Sequence, residues 1–131
     1  MATVEVTFPP LPAHVRTARL VATAVARRSG IDESLLDEVR LAVGEACSRA
    51  VEAHRKHCPG QPIRVALCDD GERFEVVVTD AAPAEADGVI MQLPAGVGLA
   101  VITGLADDVR ISPAGDGTSV AMSWKRRSAT A

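Results

Sequence analysis

The sequence predicts an α+β two-layer sandwich, with helices packed on one face of a mixed, mostly antiparallel β-sheet. Two observations carry this. Short stretches of period-two alternation are interleaved with longer stretches of helical periodicity. Tight turns, Asp69-Asp70-Gly71-Glu72 and Gly115-Asp116-Gly117, join neighbouring strands into hairpins. The order β, α, α, β, β, loop, α, β, β lets the hairpins pair locally and leaves the helices to cover one face. At 131 residues the chain fits one domain, 1–131, closed by a short basic tail at 125–131.

Each element has a local reason. Val4, Val6 and Phe8 alternate with Glu5 and Thr7, and Pro9-Pro10 ends that strand. From about Ala13 to Arg28, Val15, Ala18, Val21, Ala22 and Val25 form an apolar stripe. Arg16, Arg19 and Arg27 lie near or off it, and Gly30 stops the helix. Asp32 is placed to cap a second helix from about Glu33 to His54, an unusual length for a small domain that leaves room for a break near its middle. Cys58-Pro59-Gly60 closes that segment. Ile63, Val65 and Leu67, then Phe74, Val76 and Val78, read as a hairpin ending at Asp80. The loop 81–88 has small residues and no period. Gly96-Val97-Gly98-Leu99 opens a third helix ending near Ala106, and Val109, Ile111 and 119–124 supply the last strands.

Composition excludes several functions. The hydrophobic fraction is 47% but only 2% is aromatic, with Trp124 the single tryptophan, so the expected core is Ala, Val, Leu and Ile. Few aromatics argue against stacking on single-stranded nucleic acid. A net charge of -3 argues against a DNA-neutralising surface. Lys125-Arg126-Arg127 reads as a solvated tail. The cysteines Cys47, Cys58 and Cys68 are odd in number and lack framework spacing, which suits reduced thiols and a cytoplasmic protein. Residues 1–6 lack the apolar run of a signal segment, and no stretch has membrane-span length.

Three segments could carry chemistry. Glu45 and Arg49 stand at i and i+4, the spacing of a surface ion pair. Asp80 ends a strand, where a carboxylate can accept from a ligand amine or form a turn. Gly96 and Gly98 open a helix whose backbone N–H groups could hold a phosphate. His54, His57, Cys58 and Cys68 could be drawn as a metal set, but without a paired Cys-x-x-Cys they read as a polar helix end, and no metal site is expected.

In this order the segments resemble the Bergerat, histidine-kinase-like ATPase fold, and within it the anti-sigma factor serine kinase family. Glu45-Ala46-Cys47-Ser48-Arg49-Ala50 is similar to that family's Glu-Ala-x-x-Asn-Ala helix motif. Gly96-Val97-Gly98-Leu99, Asp107-Asp108-Val109 and Asp116-Gly117-Thr118 are similar to its C-terminal signature. The resemblance implies Glu45 as general base toward a partner's serine hydroxyl. It implies Asp80 and Thr118 at the adenine, Gly96 and Gly98 near the phosphates, and ATP with Mg²⁺ as cofactors of a working site. It implies an alternative sigma factor and an anti-anti-sigma factor as partners, contacted through Arg19 with Arg16 beside it. A homodimer is usual in the family.

Two departures bear on that implication. The Mg²⁺-binding asparagine is replaced by Arg49, which has no lone pair and is always charged. The family's first glycine box is replaced by Ala82-Pro83-Ala84, which disfavours positive φ and removes a donor. Both favour a partner-switching anti-sigma factor with weak or no kinase activity. The alternatives are an active protein-serine kinase in which Arg49 neutralises phosphates in the metal's place, and an adaptor that binds only an anti-anti-sigma-type domain.

Overall fold

A computed structural model describes residues 2–83 and 102–126. Strand β1 (Ala2–Phe8) leads into α1 (Pro12–Arg28), a 3₁₀ turn (Glu33–Leu35) and α2 (Leu36–His57). Strands β2 (Ile63–Asp69), β3 (Arg73–Thr79), β4 (Asp108–Ala114) and β5 (Gly117–Lys125) complete the sheet. Residues 102–105 are helical and end where the chain turns into β4.

The sheet order is β1-β2-β3-β5-β4. Every described pairing is antiparallel, so the parallel component expected of a mixed sheet is absent among the described residues. The hairpins β2–β3 and β4–β5 are antiparallel by construction. Between β1 and β2 the chain runs out along α1 and back along α2, which returns it to β2 in the opposite sense to β1.

One face of the sheet is buried. Ile63, Val65 and Leu67 on β2, Phe74, Val76 and Val78 on β3, and Val120, Met122 and Trp124 on β5 point to the helices. They meet a stripe of small residues on α1 (Ala18, Ala22, Ala26) and on α2 (Ala42, Ala46, Ala50) that lets backbone and sheet approach closely. The core is largely aliphatic as composition requires, yet its two bulkiest members are Trp124 and Phe74, tilted against each other with ring centroids 6.2 Å apart. The Trp124 indole N–H donates to the Leu105 carbonyl at 2.9 Å, which satisfies its one polar atom and ties the helical turn at 102–105 to β5.

Local details depart from expectation in three places. Helix α2 is unbroken and runs to His57, because buried residues recur along it from Leu36 to His54 and that burial outweighs the propensity cost of Gly44. Asp32 does cap, accepting from the Ser34 N–H at 2.9 Å, but it caps the 3₁₀ turn that precedes α2. The basic tail begins later than predicted: Lys125 is the last residue of β5, and its N–H donates to Asp107 Oδ2 at 2.7 Å. The Arg126 N–H donates to the Glu72 carbonyl at 2.8 Å. Its guanidinium lies against Gly30, whose φ of 84° is open to glycine. Residues 127–131 lie outside the described residues.

Candidate functional site

The site is built where β3 ends against α2. Alternation along β3 places Phe74, Val76 and Val78 inward, so Asp80, one step past the strand, also points inward. It is 3% exposed. Its Oδ1 accepts from the backbone N–H of Ala82 at 3.1 Å and of Thr118 at 3.2 Å. Its own N–H donates to the Thr118 carbonyl at 3.0 Å. Thr118 therefore holds Asp80 through its backbone from both directions, and is itself buried.

The other carboxylate oxygen, Oδ2, receives Arg49 Nη2 at 2.5 Å. Both side chains are inside: Arg49's is 7% exposed and Asp80's fully enclosed. The pairing of Arg49 with Glu45 expected from i, i+4 spacing does not form. Arg49 turns toward the sheet, while Glu45 is exposed on the solvent side of α2. Four residues advance a helix by 400°, about 40° past a full turn. On α2 that offset carries position 49 across the boundary between the solvent face and the sheet-facing face.

Two further residues fix this corner. Gly117 leaves no room for a side chain, since a Cβ there would stand 1.9 Å from the Asp80 carbonyl oxygen. His54, fully buried, accepts the Ala81 N–H on Nε2 at 2.8 Å, and its Nδ1 is 2.9 Å from the Gln61 carbonyl. The acceptor role of Nε2 places the proton on Nδ1, which donates to Gln61. His54 is thus a neutral strut between α2, the loop before β2 and the residue after Asp80. Both ring nitrogens are engaged by backbone, so the set His54, His57, Cys58 and Cys68 does not assemble. Among the described residues no group of three or more His, Cys, Asp or Glu side chains is arranged to hold a metal. Burial, and secondarily the Asp80 charge, pushes the Cys58 thiol above its ordinary value.

A second feature lies on the helical layer. A groove of about 650 Å³ runs between α1 and α2. Pro12, Val15 and Val51 give it an apolar floor, and Arg19, Arg55 and Lys56 give it a basic rim, with Glu52 paired to Lys56 at 3.3 Å. Arg16 is exposed on the same helix as Arg19. Arg19 lies flat across α2 at Gly44, where its Cδ is 2.8 Å from the place a Cβ would occupy. The site and the groove both draw on α2, but the structure does not bring Arg16 or Arg19 to Asp80.

Of the remaining predicted residues, Ala82 is buried with its N–H given to Asp80, and no described non-glycine residue has positive φ. Gly96, Gly98 and Ala84 lie outside the described residues. Sequence reasoning missed Gly44 and Gly117 as close-approach glycines and His54 as a strut. Gly44 carried a signal, an isolated glycine within helical periodicity. His54 carried none beyond being the one histidine on the apolar stripe.

The residues at this corner do not fit Mg²⁺–ATP as they stand. Arg49 offers no lone pair to a metal, and its guanidinium already holds the carboxylate oxygen that a base amine would need.

A family model for the histidine kinase-like ATPase domain matches residues 8–124. The chain belongs to that family. Within the histidine kinase-like ATPase family it is similar to the serine-protein kinase RsbW of Bacillus subtilis, 29% identical over 133 residues, covering 91% of this chain and 82% of that protein. The serine-protein kinase RsbW of Oceanobacillus iheyensis is 28% identical over 123 residues, covering 83% and 78%. These relatives agree with the resemblance to anti-sigma factor serine kinases. A solved structure of the RsbU and RsbW domains of Rv1364c from Mycobacterium tuberculosis superposes with a TM-score of 0.74 at 21% identity. It covers 98% of this chain, which spans about a third (34%) of that longer chain, and the likeness establishes the fold. No described helix is long and apolar enough to cross a membrane.

Proposed function

We propose that this protein is a partner-switching anti-sigma factor of the histidine kinase-like ATPase family, with weak or no kinase activity. It holds an alternative sigma factor in the cytoplasm until an anti-anti-sigma protein displaces it, and it acts as a homodimer without direct contact to nucleic acid or membrane. The observation that carries this reading is the buried Arg49–Asp80 pair. Where an active relative needs an asparagine for Mg²⁺ and a free aspartate for adenine, this chain has a cation and a carboxylate in direct contact. Phosphoryl transfer depends on the metal and on positioning, and both are compromised by one contact. The surface proposed for the partner lies apart from that pair. The groove with Arg19, Arg55 and Lys56 on its rim, and Arg16 nearby, suits an acidic partner surface with apolar anchors.

The test is titration calorimetry with ATP, with and without Mg²⁺, beside a pull-down of candidate sigma factors. No heat at millimolar nucleotide, together with sigma binding that Arg19→Glu weakens, is the expected result. Micromolar, Mg²⁺-dependent ATP binding with transfer to a partner serine would favour the kinase reading, with Glu45 as base. Capture of an anti-anti-sigma domain but of no sigma factor would favour the adaptor.

A further inference from the structure

We propose that His54 is a proton-operated latch: its neutral ring holds the residue after Asp80 to α2, and uptake of a second proton releases it. The latch is independent of whether a nucleotide or a partner protein binds.

The geometry admits one protonation state of the closed corner. The Ala81 backbone N–H can only donate, so Nε2, 2.8 Å away, presents its lone pair. The Gln61 carbonyl can only accept, so Nδ1, 2.9 Å away, carries the proton. The residue is fully buried. A second proton would set an N–H on Nε2 against the N–H of Ala81, two donors face to face inside the protein.

The surroundings do not relieve that clash. The titratable and charged groups at this corner are Asp80 at the end of β3, Arg49 on α2, and Cys58 at the C-cap of α2, whose thiol feels the Asp80 charge. Gln61 before β2, and Gly117 and Thr118 on β5, bring no charge. The Asp80 carboxylate already accepts from Arg49, Ala82 and Thr118. An imidazolium and a closed corner therefore exclude each other, and the proton is gained only where Ala81 has left the ring. Ala82 follows directly and gives its N–H to Asp80, so release of Ala81 loosens one of the two backbone donors on Oδ1. The open state binds one more proton than the closed state, so the closed state weakens as pH falls. Each unit of acidification favours opening by up to about tenfold once the open ring is charged.

The test is nuclear magnetic resonance on the full chain between about pH 8 and pH 5, the range in which histidines change charge. It reads the His54 ring nitrogens together with the hydrogen-exchange protection of the Ala81 amide. The expected result is the Nδ1–H tautomer at the upper end, and a fall in Ala81 protection of at least about fivefold as the ring takes its second proton. Trp124 fluorescence should show the core still folded through that fall. His54→Gln keeps an acceptor but does not titrate, and should make Ala81 protection flat across the range. His57→Gln, on the exposed end of α2, should leave the response unchanged. An Nε2–H tautomer overturns the latch, as does a ring that gains its proton while Ala81 stays protected. Protection that stays flat until the core unfolds overturns it too, as does the same pH response in His54→Gln, which would assign it to another group. If His54→Gln fails to fold, the ring and amide readings on the unaltered protein decide by themselves.

Discussion

Arg19 rests on Gly44: the arginine's Cδ sits 2.8 Å from where a Cβ on α2 would stand, and its Cγ 3.4 Å away. The glycine is a seat for a side chain from the neighbouring helix. Glycine in a helix interior is about 1 kcal/mol less favourable than alanine. Gly44→Ala should therefore raise the urea midpoint, because the far end of an arginine is flexible and can swing away. The same change should weaken sigma-factor capture several-fold, by moving Arg19 without removing its charge. A variant that is more stable and binds equally well would separate Arg19's position from partner recognition.

The Arg49–Asp80 pair should behave as a coupled unit in unfolding. Asp80→Asn keeps an oxygen for the two backbone N–H groups but removes the charge that faces the buried Arg49 guanidinium at 2.5 Å, so a loss of up to about 3–5 kcal/mol is expected. Adding Arg49→Met should recover most of it. Guanidinium denaturation of the two single variants and the double variant gives the coupling, and additive losses would show that the two side chains do not act together.

Gly117→Ala should be among the most damaging single-methyl additions to this chain. The new carbon would meet backbone, the Asp80 carbonyl at 1.9 Å, so β5 must shift relative to the end of β3. A loss of at least about 2 kcal/mol is expected from overpacking. Gly60→Ala, where nothing lies within 4 Å, serves as the control and should be close to neutral by urea unfolding.

Cys47 should set an alkaline limit on stability. Burial pushes its thiol from 9.0 up to about 12, with the Arg19 charge acting in the opposite direction. The folded state thus keeps a proton that the unfolded chain releases above about pH 9. Stability is unaffected below that pH and falls as pH rises toward 12, by up to about 1.4 kcal/mol per unit. Cys47→Ala should flatten that slope in denaturant midpoints taken between pH 8 and 10. In native protein at pH 8, Cys47 should also resist alkylation until the chain unfolds.

The layered fold was legible because each of its signals is local. Alternation in Val4–Phe8, Ile63–Leu67 and Phe74–Val78, and the apolar stripes of α1 and α2, follow from backbone geometry and survive tertiary contact. What stayed hidden is tertiary. Spacing alone put Arg49 beside Glu45, because i, i+4 is a rule for exposed helix faces. Arg49 stands at the edge of the buried face, where it meets a carboxylate from a strand end 31 residues away in sequence. Recognising the family motif marked position 49 as altered, but only coordinates reveal that the altered residue reaches the aspartate of a different motif. His54 was hidden for the same reason: a lone histidine does not announce which carbonyl and which amide it will bridge. The antiparallel partner of β1 became certain only once both helices were seen to return the chain.

The edges of the sheet are unequal. Outermost β4 carries Pro113, which has no N–H to offer, and alternates the charged Asp108 and Arg110 along an exposed ribbon. At the opposite side, β1 presents seven residues without a proline, and among the described residues its one strand neighbour is β2. A strand approaching this sheet from another chain would find a ladder with a missing rung beside β4 and an intact one beside β1. Growth of the sheet beyond one molecule therefore has a preferred direction, written by a single imino acid.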